Sequence, residues 1–152
     1  MPAGVNVSRD LRWMLTKEWS THMVKVRNYP KAFSKDPLNP KGLHLPRFSG
    51  SVQTKAVTVR QSAKNKGVTL IYKKQHTQRQ PGKQLVRVVL KKDPRKTLNT
   101  IKNTLNSMKG YRKDLKMLAL RRASTLLKSQ QSKQKKRKQS KRQKRKGKTA
   151  SK

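Results

Sequence analysis

The sequence predicts an α+β fold: a small antiparallel β-sheet with flanking helices, two C-terminal helices and a basic extended tail. Three segments rich in β-branched residues, 52–60, 67–74 and 84–92, are joined by polar linkers and predict neighbouring strands. Two later segments, 94–109 and 113–129, carry apolar residues at helical spacing. They predict amphipathic helices that pack on the sheet rather than on a membrane surface.

Both C-terminal helices have recognisable boundary signals. Asp93 followed by Pro94 places an N-cap residue before a proline at the first helical position. Gly110 is well placed to end this helix, because glycine readily adopts the left-handed conformation of a helix terminus. In the second helix, Lys116 and Arg122 fall within the apolar face, where their stems can pack while their charges reach outward. The apolar stripes consist of Leu98, Ile101, Leu105 and Met108 in the first helix and Leu115, Ala119, Leu120, Ala123, Leu126 and Leu127 in the second.

The N-terminal part predicts one more helix and one more strand. Ser8 or Asp10 can cap a short helix that runs to about Glu18. The segment 22–26 alternates and predicts a short fourth strand of the sheet. The segment 29–51 contains six Pro and Gly residues and predicts a long loop. We expect its apolar side chains to lie against a surface supplied partly by a binding partner.

These elements divide the chain into an N-terminal extension at 1–9, a domain at 10–129 and a disordered basic tail at 130–152. Of the 25 residues from 128 to 152, 13 are Lys or Arg and none is acidic. Ordering a segment costs about 1–2 kcal/mol per residue in backbone entropy, and this segment has too little apolar surface to offset it. No repeat with a period of about 20–50 residues is present.

The charge balance indicates a polyanionic partner. The chain has 42 Lys and Arg against 5 Asp and Glu, and residues 1–127 alone have 29 basic residues. Self-repulsion of this size opposes compaction unless counter-charge lies close by. Cysteine is absent, which excludes disulfides and thiolate metal sites. We expect an intracellular, soluble protein, because we find no secretory signal and no run of about 18 apolar residues.

Candidate catalytic and metal-binding residues are few and scattered. Three of the five acids, Asp10, Asp93 and Asp114, lie near predicted helix starts, where capping or the helix dipole favours them. The three histidines are isolated and lack the paired spacing of zinc ligands. No phosphate-binding or nucleophile motif is present. We therefore expect no enzymatic activity, no cofactor, no metal site and no small-molecule substrate.

Several aromatic and polar residues have two interpretations each. Trp13, flanked by apolar residues, is expected to pack in the core, whereas Trp19 suits either packing or stacking on an unpaired base. Tyr72 is the only aromatic residue in the strongest strands, so little favours base stacking on the sheet. The segment 121–124 matches a basic-directed kinase site, but we expect Ser124 to be an ordinary serine on a helix flank.

We expect the Lys and Arg side chains to neutralise nucleic-acid phosphates. The tail can follow a groove between RNA helices, and its composition also suits nuclear or nucleolar import. The tail lacks the Ala/Pro-rich composition of linker-histone tails, which favours RNA; a chromatin-associated protein is the alternative. The predicted RNA contacts are Arg60, Lys73, Lys74, Arg79, Lys83, Lys91, Lys92, Arg112, Lys113, Arg121, Arg122, Lys128, Lys135, Lys136, Arg137, Lys138, Lys141, Arg142, Lys144, Arg145 and Lys146.

Four stretches of the chain carry a family resemblance. They are YRKDLKMLALRRASTLLKSQ at 111–130, LRWMLTK at 11–17, GVTLIYKK at 67–74 and LVRVVLKK at 85–92. In order and spacing they resemble the eukaryotic large-ribosomal-subunit protein 28 family, over roughly residues 10–27 and 53–130. The stretch 111–130 is the most specific, because Tyr-Arg, Asp-Leu and Arg-Arg-Ala-Ser fall together in one register.

The resemblance implies a structural protein of the cytosolic large ribosomal subunit, bound to ribosomal RNA and neighbouring ribosomal proteins and lacking catalysis. It also implies a cytoplasmic location on the ribosome, with nucleolar transit during assembly, and a small antiparallel sheet with helices. A ribosome-assembly factor of the nucleolus has a similar domain and is an alternative. That factor carries cysteines and acidic stretches, which this chain lacks.

Overall fold

The structure is a computed structural model that describes residues 7–63, 66–74 and 80–131. Within these ranges it has three α-helices and two small antiparallel sheets, which confirms the predicted α+β class. The ends of the chain, 1–6 and 132–152, lie outside the described residues, so the predicted domain boundaries stay predictions. The elements are α1 Arg9–Thr16, β1 Met23–Val24, β2 Phe33–Ser34, β3 Val57–Gln61, β4 Val68–Lys73, β5 Leu85–Leu90, α2 Pro94–Ser107 and α3 over 116–131.

The larger sheet has the order β3-β4-β5, and both of its strand pairs are antiparallel. Val59 lies opposite Leu70, which lies opposite Val88. Because side chains alternate along a strand, these three residues share one face of the sheet, and the adjacent row with Thr58 and Ile71 lies on the other. All three predicted strands are therefore present, each beginning one to five residues later than its sequence pattern.

Helices α2 and α3 cover the valine-rich face of this sheet. Their buried residues Ile101, Leu105, Ala119 and Ala123 join the strand residues in one core cluster. The two alanines are fully buried, so α3 can approach the strands closely. The amphipathic stripes predicted from the sequence are thus the faces that pack on the sheet.

The boundaries of α2 follow its sequence signals with one difference. Pro94 begins the helix, but the Asp93 carboxylate at the N-cap position makes no capping hydrogen bond. Instead, the Thr97 hydroxyl donates to the Lys92 carbonyl at 3.0 Å, and the Thr97 N–H donates to the Asp93 carbonyl at 2.8 Å. Gly110 lies just beyond the helix at φ +65°, where glycine is favoured.

Tyr111 fixes the start of α3 against the sheet. A 3-10 turn, Lys113–Leu115, precedes the helix. The buried Tyr111 hydroxyl lies 2.9 Å from the carbonyl oxygens of both Ala56 and Lys73, and its single proton bridges the two acceptors. Burial raises the pKa of Tyr111 to about 12, although both carbonyl hydrogen bonds act in the opposite direction.

Gln130 fixes the end of α3 to the turn between β3 and β4. Its side-chain amide donates to the Gly67 carbonyl at 2.8 Å and accepts from the Gly67 N–H at 2.9 Å. Gly67 has φ +82°, and a Cβ there would overlap the carbonyl group of Leu90. Glycine is therefore required, because the turn passes directly over the end of β5.

The predicted strand at 22–26 is present as β1 but does not join the larger sheet. It pairs with β2, with Val24 opposite Phe33, and a single bridge links Phe33 to Leu43. Asn28, at φ +61°, lies in the connection between the two strands. The prediction of one four-stranded sheet is therefore wrong. β2 is only two residues long within a proline-containing segment, which is too short to give a periodic signal.

The remainder of the predicted loop folds onto the second face of the larger sheet. Leu38 packs with Ala56 and Ile71 in a separate small core. The buried Asp36 carboxylate accepts hydrogen bonds from the Leu38 N–H at 2.9 Å and the Gly50 N–H at 2.8 Å, which closes the loop. In the described contacts, the chain's own sheet supplies the surface that was expected partly from a partner.

Helix α1 lies outside both cores. The Ser8 hydroxyl accepts from the Leu11 N–H at 3.2 Å, which confirms Ser8 as the cap, and the helix ends at Thr16 rather than near Glu18. Trp13 is half-buried and packs on the ring of His44, with the ring centroids 4.8 Å apart. The expectation that Trp13 lies in the core is wrong, because α1 has no fully buried residue.

Candidate nucleic-acid interface

The predicted RNA contacts divide into side chains bonded within the protein, side chains facing solvent, and residues that the structure does not describe. Lys73, Arg112 and Arg122 bond internally, as shown below, and eight others are exposed. Those outside the described residues are Arg79, Lys135, Lys136, Arg137, Lys138, Lys141, Arg142, Lys144, Arg145 and Lys146.

Lys73 is buried beneath the loop that follows β2. Its side chain is on the same face of the sheet as Ile71, and its ammonium donates to the Gln53 carbonyl at 3.1 Å. Burial lowers the pKa of Lys73, the Asp36 carboxylate opposes this shift, and Arg12 adds to it. The ammonium group therefore holds the loop to the sheet.

Arg122 connects α3 to the edge of the sheet and to the loop. Its Nε donates to the Val59 carbonyl at 2.8 Å, and its Nη1 donates to the Pro40 carbonyl at 2.9 Å. Burial lowers the pKa of Arg122, and the nearby charge of Arg60 adds to the shift. The prediction that its stem packs within the helix's apolar face agrees with this position, but the charged group bonds to the protein backbone.

Arg112 belongs to a small ion-pair network at the start of α3. Its Nη2 lies 2.8 Å from an Asp114 carboxylate oxygen, its Nη1 donates to the Arg47 carbonyl at 2.9 Å, and the Arg47 Nε donates to the same carboxylate at 3.1 Å. Burial alone would raise the pKa of Asp114, but the hydrogen bonds and charges of Arg112 and Arg47 outweigh it and lower the pKa. Asp114 thus orders the 3-10 turn that precedes α3.

One end of the larger sheet gathers four exposed predicted cations. The strand register brings the end of β3 beside the end of β5 across β4, so Arg60, Lys91 and Lys92 share this end. Lys128 joins them, because the end of α3 is fixed to the turn between β3 and β4. We call these four residues the first basic cluster.

The opposite end of the sheet gathers Lys74, Lys83 and Lys113, all exposed. Lys74 and Lys83 bracket the connection from β4 to β5, which is closed by a hydrogen bond from the Lys74 N–H to the Gln84 carbonyl at 2.8 Å. Lys113 lies at the same end, because Tyr111 holds the start of α3 there. We call these three residues the second basic cluster.

Between the two clusters, a shallow groove of about 580 Å³ runs between α2 and α3. Arg121, Ser124 and Thr125 line it from α3, opposite Asn99 and Lys102 of α2. The lysine and the arginine are both exposed. The lining is mostly apolar and includes Leu98 and Leu120, and the positive charge of the groove comes from Lys102 and Arg121.

Some exposed cations were not among the predicted contacts. Arg87 lies at the centre of β5, opposite Ile71. It is on the same face of the sheet as Ile71, but the loop that follows β2 leaves it exposed. The alternation of apolar and polar residues in β5 could have identified it. Lys102, exposed in the groove, is another such cation. The segment between α1 and Asp36 also carries the exposed residues Lys25, Arg27, Lys31 and Lys35.

The five acidic side chains are too few to neutralise these clusters, although the exposed Asp93 directly follows Lys92. Asp36 is buried, Asp114 is held by two arginines, and Glu18 lies 3.7 Å from the neighbouring lysine. Asp10 and Asp93 lie at helix starts. Among the described residues, no group of three or more His, Cys, Asp and Glu could hold a metal ion, and no helix is long and apolar enough to span a bilayer.

The aromatic and serine candidates have different environments. Trp19 is 87% exposed, so packing does not account for it. Tyr72 faces the helices and meets the Tyr111 ring edge-on, with centroids 6.3 Å apart. Ser124 is half-buried on the flank of α3, in the groove, as its helical position indicated.

Comparison with known proteins shows similarity over nearly all of the segments that form this surface. The sequence model of the Ribosomal L28e protein family matches residues 11–129. The chain is 34% identical over 133 residues to the large ribosomal subunit protein eL28 of Schizosaccharomyces pombe, an alignment that covers 86% of this chain and 98% of that protein. The family match includes both basic clusters and the groove between them.

Proposed function

Because the chain belongs to the ribosomal L28e protein family, we propose that it is a structural component of the large subunit of the eukaryotic cytosolic ribosome and binds ribosomal RNA. The observation that carries this proposal is the separation of charge in the folded body. The two basic clusters and Arg121 face solvent, while the acids are paired, buried or at helix starts. Such a surface fits phosphates, which Lys and Arg neutralise with release of counterions.

The proposed interface consists of the exposed members of the predicted set. Lys73, Arg112 and Arg122 are left out, because their charged groups bond to carbonyl or carboxylate oxygens of the chain itself. Arg79 and the basic residues of the tail stay predicted contacts. The retained residues are Arg60, Lys74, Lys83, Lys91, Lys92, Lys113, Arg121 and Lys128.

In this proposal the protein acts as a scaffold. Its folded body presents two clusters at opposite ends of one sheet, so it can contact two RNA segments and hold them apart. It has no catalytic role and needs no cofactor. It works on the cytoplasmic ribosome beside other ribosomal proteins, after transit through the nucleolus.

A binding titration tests the phosphate contacts. We expect the affinity of the full chain for large-subunit ribosomal RNA to fall steeply with salt, with log K decreasing by about 0.7–0.9 per contact for each tenfold rise in salt concentration. Fluorescence anisotropy with a labelled RNA fragment at several salt concentrations measures this slope. A flat salt response would contradict the proposal.

Sedimentation tests the ribosomal location. A tagged copy should migrate with large subunits in a sucrose gradient and leave that position after ribonuclease treatment. Arg121→Glu should reduce this comigration, because the substitution reverses the charge at the centre of the basic surface. It should leave the urea midpoint of unfolding unchanged, because Arg121 is exposed. Migration with chromatin would support the alternative.

A further inference from the structure

The N-terminal part of the structure leaves three aromatic rings open to solvent. Trp19 is 87% exposed, Tyr29 47% and Phe33 37%. Aromatic side chains supply much of the buried apolar surface in folded proteins, and an indole that is almost wholly exposed is uncommon. Within the described residues, no core reaches these rings, so the fold itself gives no reason for them.

Two of the three rings are preorganised. Tyr29 and Phe33 stack with their centroids 4.9 Å apart and their planes only 14° from parallel. Phe33 is fixed on both sides, by its pairing with Val24 and by its bridge to Leu43. The outer face of Tyr29 is therefore presented by a short, hydrogen-bonded element rather than by a free loop.

His44 joins the strand that carries Phe33 to the end of α1, near Trp19. Its backbone N–H donates to the Ala32 carbonyl at 2.9 Å, and its Nε2 lies 2.7 Å from the Lys17 carbonyl. A carbonyl only accepts, so Nε2 carries the proton. The turn holding Trp19 and the β1–β2 pair are thus parts of one small unit, in which Trp13 is the packed tryptophan.

The charge of this unit identifies the kind of partner. From Trp19 to Lys35 the chain contains no acid, and its cations Lys25, Arg27, Lys31 and Lys35 are all exposed. Glu18 directly precedes Trp19 but lies 3.7 Å from the Lys17 ammonium, so the unpaired charge beside these rings is positive. Flat rings with positive charge around them suit a ligand that has both π faces and phosphates. Single-stranded nucleic acid binds in this way, with bases stacked on aromatic rings and the backbone held by basic side chains.

We propose that unpaired RNA bases stack on Trp19 and on the Tyr29–Phe33 pair, with the adjacent phosphates held by Lys25, Arg27 and Lys31. This proposal rests on the proposed RNA-binding function and deepens it. It assigns a base-contacting site to the N-terminal unit, in addition to the phosphate-contacting clusters of the larger sheet. The site needs single-stranded RNA, because bases within a helix do not expose their faces.

Fluorescence of single-tryptophan forms of the full chain tests the stacking directly. The chain has two tryptophans, so Trp13→Phe leaves Trp19 as the only reporter and Trp19→Phe leaves Trp13 as a matched control. Each form is titrated with a single-stranded RNA oligonucleotide and with an abasic oligonucleotide of the same length and charge. We expect RNA, but not the abasic strand, to quench Trp19 emission, and neither to change the emission of Trp13.

Alanine variants then measure the contribution of each ring. Trp19→Ala and Tyr29→Ala should each reduce the preference for RNA over the abasic strand by about 5- to 150-fold, the range that corresponds to a single base–aromatic contact. Met14→Ala is the control, because Met14 is exposed and apolar but has no ring. Urea unfolding of each variant checks that the body stays folded.

The possible failures are distinguishable. If RNA and the abasic strand bind equally with a steep salt dependence, the phosphate contacts stand and the stacking site is wrong. If neither binds, the proposed function fails as well. If Trp19→Ala keeps full preference for RNA yet is lost from large subunits in a gradient, the rings contact a neighbouring protein, which also overturns the stacking proposal.

Discussion

At the scale of single residues, the same side-chain type has different roles according to what lies within hydrogen-bonding distance. Arg121 and Arg122 are adjacent, but the first is exposed and the second donates to two backbone carbonyls. Lys73 and Lys74 differ in the same way, since only Lys73 is buried. Backbone geometry explains both differences. Successive side chains point to opposite faces along a strand, and they point about 100° apart around a helix.

Tyr111 gives a test of residue-scale stability. Tyr111→Phe should lower the free energy of unfolding by about 1–2 kcal/mol at pH 7, because two buried carbonyls lose their shared donor. Urea unfolding followed by circular dichroism measures this difference, and an unchanged midpoint would contradict the role assigned to the hydroxyl.

The pH dependence of that difference has a definite sign. The folded pKa of Tyr111 is raised to about 12, above the unfolded value of about 10, so its stabilising effect is complete below pH 10. It is lost between pH 10 and 12, where the unfolded chain releases the proton first. The stability difference between the natural chain and Tyr111→Phe should therefore shrink over that range, while lysine titration affects both proteins alike.

At the scale of elements, the loop after β2, the edge strand β3 and helix α3 are held together by polar contacts as well as by apolar packing. Arg122 joins all three, and Asp36 closes the loop that it contacts. The face of the sheet beneath this loop has only a small core, formed by Leu38, Ala56 and Ile71. Hydrogen bonds between charged side chains and backbone groups therefore supply much of the attachment of this loop.

The two adjacent arginines separate structure from binding. Arg122→Met keeps the apolar stem but removes the donors, so it should lower the free energy of unfolding by about 1–3 kcal/mol. Arg121→Met should change stability by less than about 0.5 kcal/mol and instead reduce the salt slope of RNA binding by about one contact. Urea unfolding and anisotropy measure the two effects. Equal stability losses, or a larger loss of RNA affinity for folded Arg122→Met, would reverse our assignments.

At the scale of the whole molecule, positive charge lies at both ends of the sheet and along the groove between α2 and α3. The net charge is +37, and the chain has only five acids. Of these, Asp36 is buried and Asp114 is held by two arginines. Residue 131, the last residue of α3 that the structure describes, lies near the first basic cluster, because Gln130 is bonded to Gly67. The tail therefore begins beside that cluster and continues its positive charge along the chain.

Deleting 132–152 tests this division of the molecule. The deletion removes 12 Lys and Arg and no acid, so RNA affinity and the salt slope should both decrease. The urea midpoint and the circular dichroism of the remaining body should stay nearly unchanged, because Gln130 and its contact with Gly67 are retained. Unfolding of the shortened chain would show that the tail belongs to the folded body.

The amino-acid sequence was sufficient to predict the three long strands, α2, α3 and their buried faces. These elements have strong local signals: β-branched runs, apolar stripes at helical spacing, a proline at the start of α2 and Gly110 after its end. It also indicated the charge, the resemblance in 111–130 and therefore the family.

Only the tertiary structure decided which cations face solvent, how β1 pairs and where the tryptophans lie. These features depend on contacts between residues far apart in the chain, such as Arg122 with Pro40 and Trp13 with His44. A local pattern reports the preference of a segment for helix or strand, but it does not say which distant carbonyl or ring will meet a side chain. For this protein, that distinction separates residues that hold the fold from those proposed to hold RNA.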